Sequence, residues 1–325
     1  MKTVYILAYD ASSIGPATSV IEIFNIANNL WQILCPDAGP IFECQIVSPI
    51  EGPQQIYPGL KFQFDQNFDT GGFADIVVIP GFVYKDIDDL LGKIGNAQKS
   101  VQWLLKQYYN GAIVGASCSG TVLLSETGLL NGKNATSSWW LESLFRTRYA
   151  EIHLKIDRLL VESGRLLTGG AGASYINLVL RLIDMFADKS LVSLCSKMLL
   201  IETNQCFQAP YMTLQADSIS FDDVVSKAQA WIQTNLHRKI ELQDLSEYLA
   251  ISIRTLIRRF KTSTGDTPVK YIQKIRIETA KHLLETTDLN LDAIIERVGY
   301  ADVSTFSLLF KRLTNLTPRE YRQQF

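Results

Sequence analysis

A chain of 325 residues is long enough for two domains, and its 47% hydrophobic content is ordinary for a globular protein. The formal net charge of −2 is unevenly divided: residues 238–325 carry 15 Lys plus Arg against 11 Asp plus Glu, leaving a net −6 for the rest. No run of eighteen apolar residues is present, the first ten residues lack the flanks of a secretory signal, and five cysteines without metal-ligand pairing predict a reducing, cytoplasmic compartment, not a membrane, a disulfide framework or a metal site.

The apolar run at residues 4–8 predicts a first strand, and Val20, Ile21, Phe24, Ala27 and Asn28 recur at helical spacing within residues 17–34. Residues 44–47 form a second short strand. Residues 75–80, apolar almost throughout, make a third of the kind covered on both faces in a parallel sheet. A helix over 97–109 leads to a fourth strand at 112–115. Strands alternating with helices predict an α/β parallel sheet whose ligand crevice lies beyond the carboxyl ends of the strands. Two loops leave such ends, Pro80-Gly81-Phe82 and Ala-Ser-Cys-Ser-Gly at 116–120.

The second loop turns a strand straight into a helix, in the manner of a nucleophile elbow. It would hold Cys118 in a strained conformation beside helix N-terminal N–H groups, donors that favour an anion. With VVIPGF, SETGLLNGKNATSSWW and LLTGGAGASYINLVLRLID, residues 3–190 resemble the ThiJ/PfpI, class I glutamine amidotransferase-like domain. That resemblance implies a flavodoxin-like fold, fused in the GlxA-like regulators to an AraC-type domain. The family's Thr-Thr-His-Trp motif stands here as Thr136-Ser-Ser-Trp139, with Ser138 in the place of histidine. Its acidic position early in the first helix aligns with Pro16, although Glu22 is nearby. His153, His237 and His282 lie outside these loops. Cysteine catalysis needs a base and a group that orients it, so no catalytic residue and no cofactor are assigned.

The expected role is sensing. The pocket walls would be Gly81 and Phe82, Cys118 and Ser119, Ser138 with Trp139 and Trp140, and Ala171 with Gly172. Indole faces suit a quaternary ammonium and elbow N–H groups a carboxylate, so an amino acid or betaine-like effector would satisfy both. Trp139 and Trp140 as ordinary core residues, a Cys118-dependent hydrolase or lyase, and a redox sensor at Cys118 stay open as alternatives.

Helical character continues over 190–201, Pro210 and mixed polar residues place a linker at 202–222, and a helix over 223–236 opens the second domain, 223–325, after a first at 1–201. CFQAPY within the linker resembles the connector of this fusion class. Leu242, Leu245 and Leu249 then mark a helix, Ala250 and Ile251 a turn, and Ser252 the cap of a helix ending at Gly265. Leu256 and Phe260 face inward and leave Arg254, Thr255, Ile257 and Arg258 outward. Arg suits guanine edges, whereas Arg259 and Lys261 are placed for phosphates.

Fifty residues on, the pattern recurs. Leu291, Ile294, Ile295 and Val298 mark a helix, Gly299 a turn, Asp302 a cap, and Phe306 and Phe310 the inward positions. Val303, Ser304, Ser307 and Leu308 point outward, with Lys311 and Arg312 behind them. This second face is suited to shape or thymine methyls. Between the copies a helix from Pro268 to about Leu284 gives a rigid spacer. Ser-x-x-x-Leu-x-Arg-x-Phe, Gly-x-x-Pro, Arg-x-x-x-Ala-x-x-Leu-Leu and Val-Gly-Tyr-x-Asp recur in order, and the segment resembles the DNA-binding domain of the AraC/XylS regulators. It departs from them at Asn315, where Gly is usual, at Leu308, where Arg is frequent, and at Ile295, where Ala is frequent. The resemblance implies an all-α double helix-turn-helix unit that binds double-stranded DNA at promoter or operator half-sites. It also implies a homodimer and, with the first domain, a small-molecule effector.

Overall fold

The computed structural model describes residues 1–8, 14–49, 54–57, 60–62, 66–69, 72–201, 206–212 and 222–325. The chain divides into two compact units, Met1–Gln208 and Ala209–Phe325.

In the first unit the elements run β1 (Lys2–Leu7), α1 (Ile14–Leu34), β2 (Phe42–Ser48), β3 (Gln54–Tyr57), β4 (Leu60–Phe62), β5 (Gln66–Asn67), β6 (Ile76–Ile79), α2 (Ile87–Gly95), α3 (Gln98–Tyr109), β7 (Ile113–Ser117), α4 (Gly120–Glu126), β8 (Asn134–Ala135), α5 (Glu142–Arg148), β9 (His153–Leu154), β10 (Leu160–Ser163), β11 (Leu166–Gly169), α6 (Ser174–Asp184) and α7 (Lys189–Met198). Seven strands form one sheet in the order β10-β11-β7-β6-β1-β2-β5, parallel throughout except for β10 against β11. The period of two sorts the strand side chains into two cores. Tyr5, Leu7, Val77, Ile79, Val114 and Ala116 pack on one face with Leu90, Ile94, Val101, Leu104 and Leu123. Val4, Ile6, Ile76, Val78 and Leu167 pack on the other with Val20, Phe24, Ala27, Leu178, Leu182 and Leu191. All four residues of β6 are therefore buried, as its unbroken apolar run predicts.

The expected helices and strands of this unit are present with ends shifted by one to three residues. Helix α2 was not expected. Asp86 caps it by accepting from the Asp89 N–H, and only Leu90 and Ile94 are buried, too few turns for a visible apolar period.

The second unit is helical: α8 (Asp223–Thr234), α9 (Leu242–Leu249), α10 (Ile253–Thr264), α11 (Pro268–Thr286), α12 (Leu291–Arg297), α13 (Val303–Thr314) and α14 (Pro318–Gln324). It holds two cores strung on α11. Tyr271, Ile272 and Ile275 join Leu245, Leu256 and Phe260, whereas Ile277, Ala280 and Leu284 join Ile294, Phe306, Phe310 and Tyr321.

The repeat is exact in its caps. Ser252 and Asp302 each accept from the N–H three residues on. Gly265 and Asn315 both take left-handed φ, 76° and 62°, and Thr267 and Thr317 cap the helices that begin at Pro268 and Pro318. Ahead of these caps the register drops to 49, because the Glu247 carbonyl accepting from Ala250 corresponds to that of Glu296 accepting from Gly299. The second turn is one residue longer.

The linker expected at 202–222 is anchored where it is described. Residues 206–208 belong to the first unit, with Leu159 N–H on the Cys206 carbonyl and Gln208 N–H on that of Asp157. Ala209–Tyr211 forms a 3-10 turn of the second unit, where the Lys281 ammonium holds the Met212 carbonyl and the Tyr211 ring lies 5.0 Å from that of Phe325.

Candidate functional site

The elbow is built by β7 passing into α4 through Cys118, whose φ of 54° lies in the left-handed region that costs a non-glycine residue about 1 kcal/mol or more. Gly120 makes the turn possible, since a Cβ there would stand 2.5 Å from the Pro80 carbonyl oxygen and 2.6 Å from that of Ile79. Half-exposed Cys118 accepts a hydrogen bond on Sγ from Ser138 Oγ at 2.9 Å, and Ser137 Oγ donates to the Cys118 carbonyl at 2.9 Å. Ser119 Oγ accepts from Phe82 N–H at 2.7 Å, which ties the Pro80-Gly81-Phe82 loop down beside the thiol. A Cβ on Gly81 would stand 3.5 Å from Cys118 Sγ.

The structure thus brings together Gly81, Phe82, Cys118, Ser119 and Ser138. Ala171 and Gly172 follow Gly170, whose carbonyl accepts from Cys118 N–H at 3.0 Å. Trp139 follows Ser138 in a 3-10 turn and lies edge-on to Trp140, centroids 4.8 Å apart, while Trp140 Nε1 donates to the Tyr84 hydroxyl at 2.6 Å. The Trp139 indole N–H is buried without an acceptor among the described residues.

At the elbow the N–H groups of Cys118, Thr121 and Val122 are bonded to protein carbonyls. A shallow open groove elsewhere on this unit is lined by Asn134, Lys155, Asp157, Arg158, Leu160 and Val161. Neither the exposed Glu22 nor the exposed His153 has a contact with Cys118, and among the described residues no group of His, Cys, Asp and Glu is arranged to hold a metal.

Sequence reasoning gave no role to Gln208, which is 2% exposed and stitches the back of this site. Its Oε1 accepts from Ala171 N–H at 2.9 Å, and its Nε2 donates to the carbonyls of Ser137 at 2.8 Å and Ile156 at 2.7 Å. A Cβ on Gly170 would fall 2.4 Å from Gln208 Oε1, so any larger residue there would have to push the Gln208 amide out of its place. The only signal was its place in CFQAPY, quoted above for likeness alone.

The second candidate surface is the outer faces of α10 and α13. Leu256 and Phe260 are fully buried, leaving Arg254, Arg258 and Lys261 exposed and Thr255 and Ile257 half-exposed. The side chains of Arg254, Arg258 and Lys261 make no hydrogen bond or ion pair among the described residues. Arg259, expected beside phosphate, is instead clamped: its Nε and Nη2 reach the two Asp222 oxygens at 2.8 and 2.9 Å. Asp222 also caps α8, and the Arg259 guanidinium holds its carboxyl below the usual carboxylate range. On α13, Phe306, Leu309 and Phe310 are buried, whereas Val303, Ser304, Leu308, Lys311 and Arg312 are exposed and Ser307 half-exposed. Asn315 ends α13 in the conformation that Gly265 gives α10, so that departure from the family pattern leaves the cap intact.

Residues 31–185 match the DJ-1/PfpI family and residues 245–324 a helix-turn-helix domain. The HTH-type transcriptional activator RhaS of Enterobacter sp. (strain 638) is 34% identical over 102 residues, 31% of this chain and 37% of that one. RhaS of Salmonella newport is 32% identical over 111 residues, 34% of this chain and 40% of that one. The chain therefore spans about two fifths of the length of these curated relatives. Among solved structures, a proposed transcriptional regulator protein from Vibrio parahaemolyticus has a TM-score of 0.53 at 19% identity, covering 61% of this chain and 98% of that one. Drosophila melanogaster DJ-1beta gives 0.50 at 16%, covering 62% and 98%. These two likenesses show the fold of the first unit.

Proposed function

We propose that this chain, a DJ-1/PfpI domain joined to an AraC-type helix-turn-helix domain, is a sequence-specific transcription regulator whose first unit senses a small molecule. The observation that carries the reading is the duplicated helix-turn-helix with Arg254, Arg258 and Lys261 exposed and unspent on one copy. Cations left unpaired on a helix face are what base edges and phosphates require. The site residues are then Arg254, Thr255, Ile257, Arg258 and Lys261 on α10, and Val303, Ser304, Ser307, Lys311 and Arg312 on α13. Titration of the full chain with duplex DNA at rising salt tests it: affinity should fall with salt while a preferred sequence keeps its advantage. Binding that loses all preference at ~0.2 M salt would reject it.

At the elbow, a hydroxyl hydrogen-bonded to Cys118 where catalysis would need a base supports binding over turnover. The unmatched Trp139 N–H supports a ligand that brings an acceptor such as a carboxylate, an amino acid or betaine-like molecule among them. An effector and a homodimer in a cytoplasmic setting complete the reading. The strained, half-exposed Cys118 favours a second reading, redox sensing, which predicts peroxide-dependent DNA affinity that Cys118→Ala abolishes.

A further inference from the structure

We infer that the two helix-turn-helix copies read different base chemistry, α10 guanine edges and α13 thymine methyl groups, with Leu308 the residue that selects thymine. This rests on the DNA-binding reading above and deepens it. The 50-residue register, fixed by shared caps and shared inward positions (Leu256 with Phe306, Phe260 with Phe310), superposes the outward positions one by one. Arg254 corresponds to Ser304, Ile257 to Ser307, Arg258 to Leu308 and Lys261 to Lys311. The position that projects a guanidinium from the first copy therefore projects an isobutyl group from the second.

Leu308 is 72% exposed and Val303 39%, while Phe306, Leu309 and Phe310 of the same helix fill the core. Leu308 is thus not a displaced core residue. What surrounds it says which partner covers it: Lys311 and Arg312 lie exposed one turn further on, the charge a phosphate backbone complements, and the copy is matched to one whose outward face carries Arg254 and Arg258. In the major groove the C5 methyl of thymine is the one apolar feature a base edge presents, and an aliphatic side chain recognises it by excluding water from both. Ser304 and Ser307, short and indifferent to donor or acceptor, let the helix approach closely enough for that contact. At the other end Asp302 has its carboxylate turned onto the Thr305 N–H, so this helix start offers no phosphate seat, and Lys311 and Arg312 supply the backbone contacts instead.

The operator then has two unlike parts, a guanine-bearing groove for α10 and a thymine-bearing groove for α13, and binds the unit in one orientation.

The test is selection of the preferred site from a random duplex pool with the full chain, followed by replacement of each thymine of that site by deoxyuridine, which deletes only the methyl. The expected result is an asymmetric site in which one thymine, in the half distant from the guanines, loses about fourfold in affinity on becoming deoxyuridine. Leu308→Ala should bind deoxyuridine and thymine equally there, with an unchanged salt dependence. Leu308→Arg should shift the preference at that position to guanine. A site with guanine preferences in both halves, or a deoxyuridine loss that persists in Leu308→Ala, would overturn the inference and leave DNA binding standing. Absence of any sequence-preferring binding would overturn both.

Discussion

At the scale of single residues, the five cysteines illustrate how position decides chemistry. Burial, with Glu43 beside it, pushes the Cys44 thiol up to about 12, and burial raises Cys195 as well. Iodoacetamide near pH 8 should therefore leave these two unlabelled while the exposed Cys206 and the half-exposed Cys118 react, an order readable by peptide mass spectrometry. Ser138→His, which places an imidazole where Ser138 now meets Cys118 Sγ, should accelerate labelling of Cys118 roughly tenfold or more. An unchanged rate would show that the loop geometry, not the missing base, limits how fast the thiol reacts.

The Asp222 carboxyl is a third case. Its folded-state pKa is depressed, chiefly by the hydrogen bonds from Arg259, so its contribution to stability is present above the ordinary carboxylate range and is lost as pH falls through the depressed value. Denaturant midpoints of wild type and Asp222→Asn should differ at pH 7 and converge below pH ~4.

Among the elements, those with many turns or an unbroken apolar run were legible in the sequence. The central strand β6, helices α1 and α3, and the whole tandem of the second unit each carry several repeats of their period. The elbow was legible for another reason: Ser-Cys-Ser-Gly directly after an apolar strand leaves the chain few ways to turn. What stayed hidden was set by contacts between distant parts. Nothing near Arg259 marks it as the partner of Asp222, 37 positions away, and its neighbours Arg258 and Lys261 are the same kind of residue with no side-chain partner among the described residues. The spent amides of Cys118, Thr121 and Val122 depend likewise on carbonyls supplied by the folded backbone.

The cap of α13 makes the element-scale prediction. Asn315 sits at φ 62°, so Asn315→Ala should lower the stability of the second unit by about 1 kcal/mol in chemical denaturation, whereas Asn315→Gly should be neutral or slightly stabilising. Equal losses from both would mean that the Asn side chain, not the backbone conformation, matters.

For the molecule as a whole, the division into two units with separate cores predicts two separable unfolding events. Gln208→Ala strips a partner from Ala171 N–H and removes the donor to the carbonyls of Ser137 and Ile156, all inside the first unit. It should cost that unit about 2 kcal/mol or more, lowering one calorimetric transition and sparing the other. A single transition that moves as a block would contradict independent cores. The charge of the chain follows the same partition, since the basic surplus lies in residues 238–325.

The peptide bond between Gln208 and Ala209 is where one packing ends and the next begins, and this gives a practical rule for building hybrids. A foreign receptor spliced onto Ala209 inherits the turn that Lys281 and the carboxyl-terminal aromatics grip, whereas a splice at Asp223 throws that turn away and also discards the Asp222 latch on α10. Chimeras cut at the earlier seam should be recovered soluble and DNA-competent; those cut at the later one should yield less folded protein.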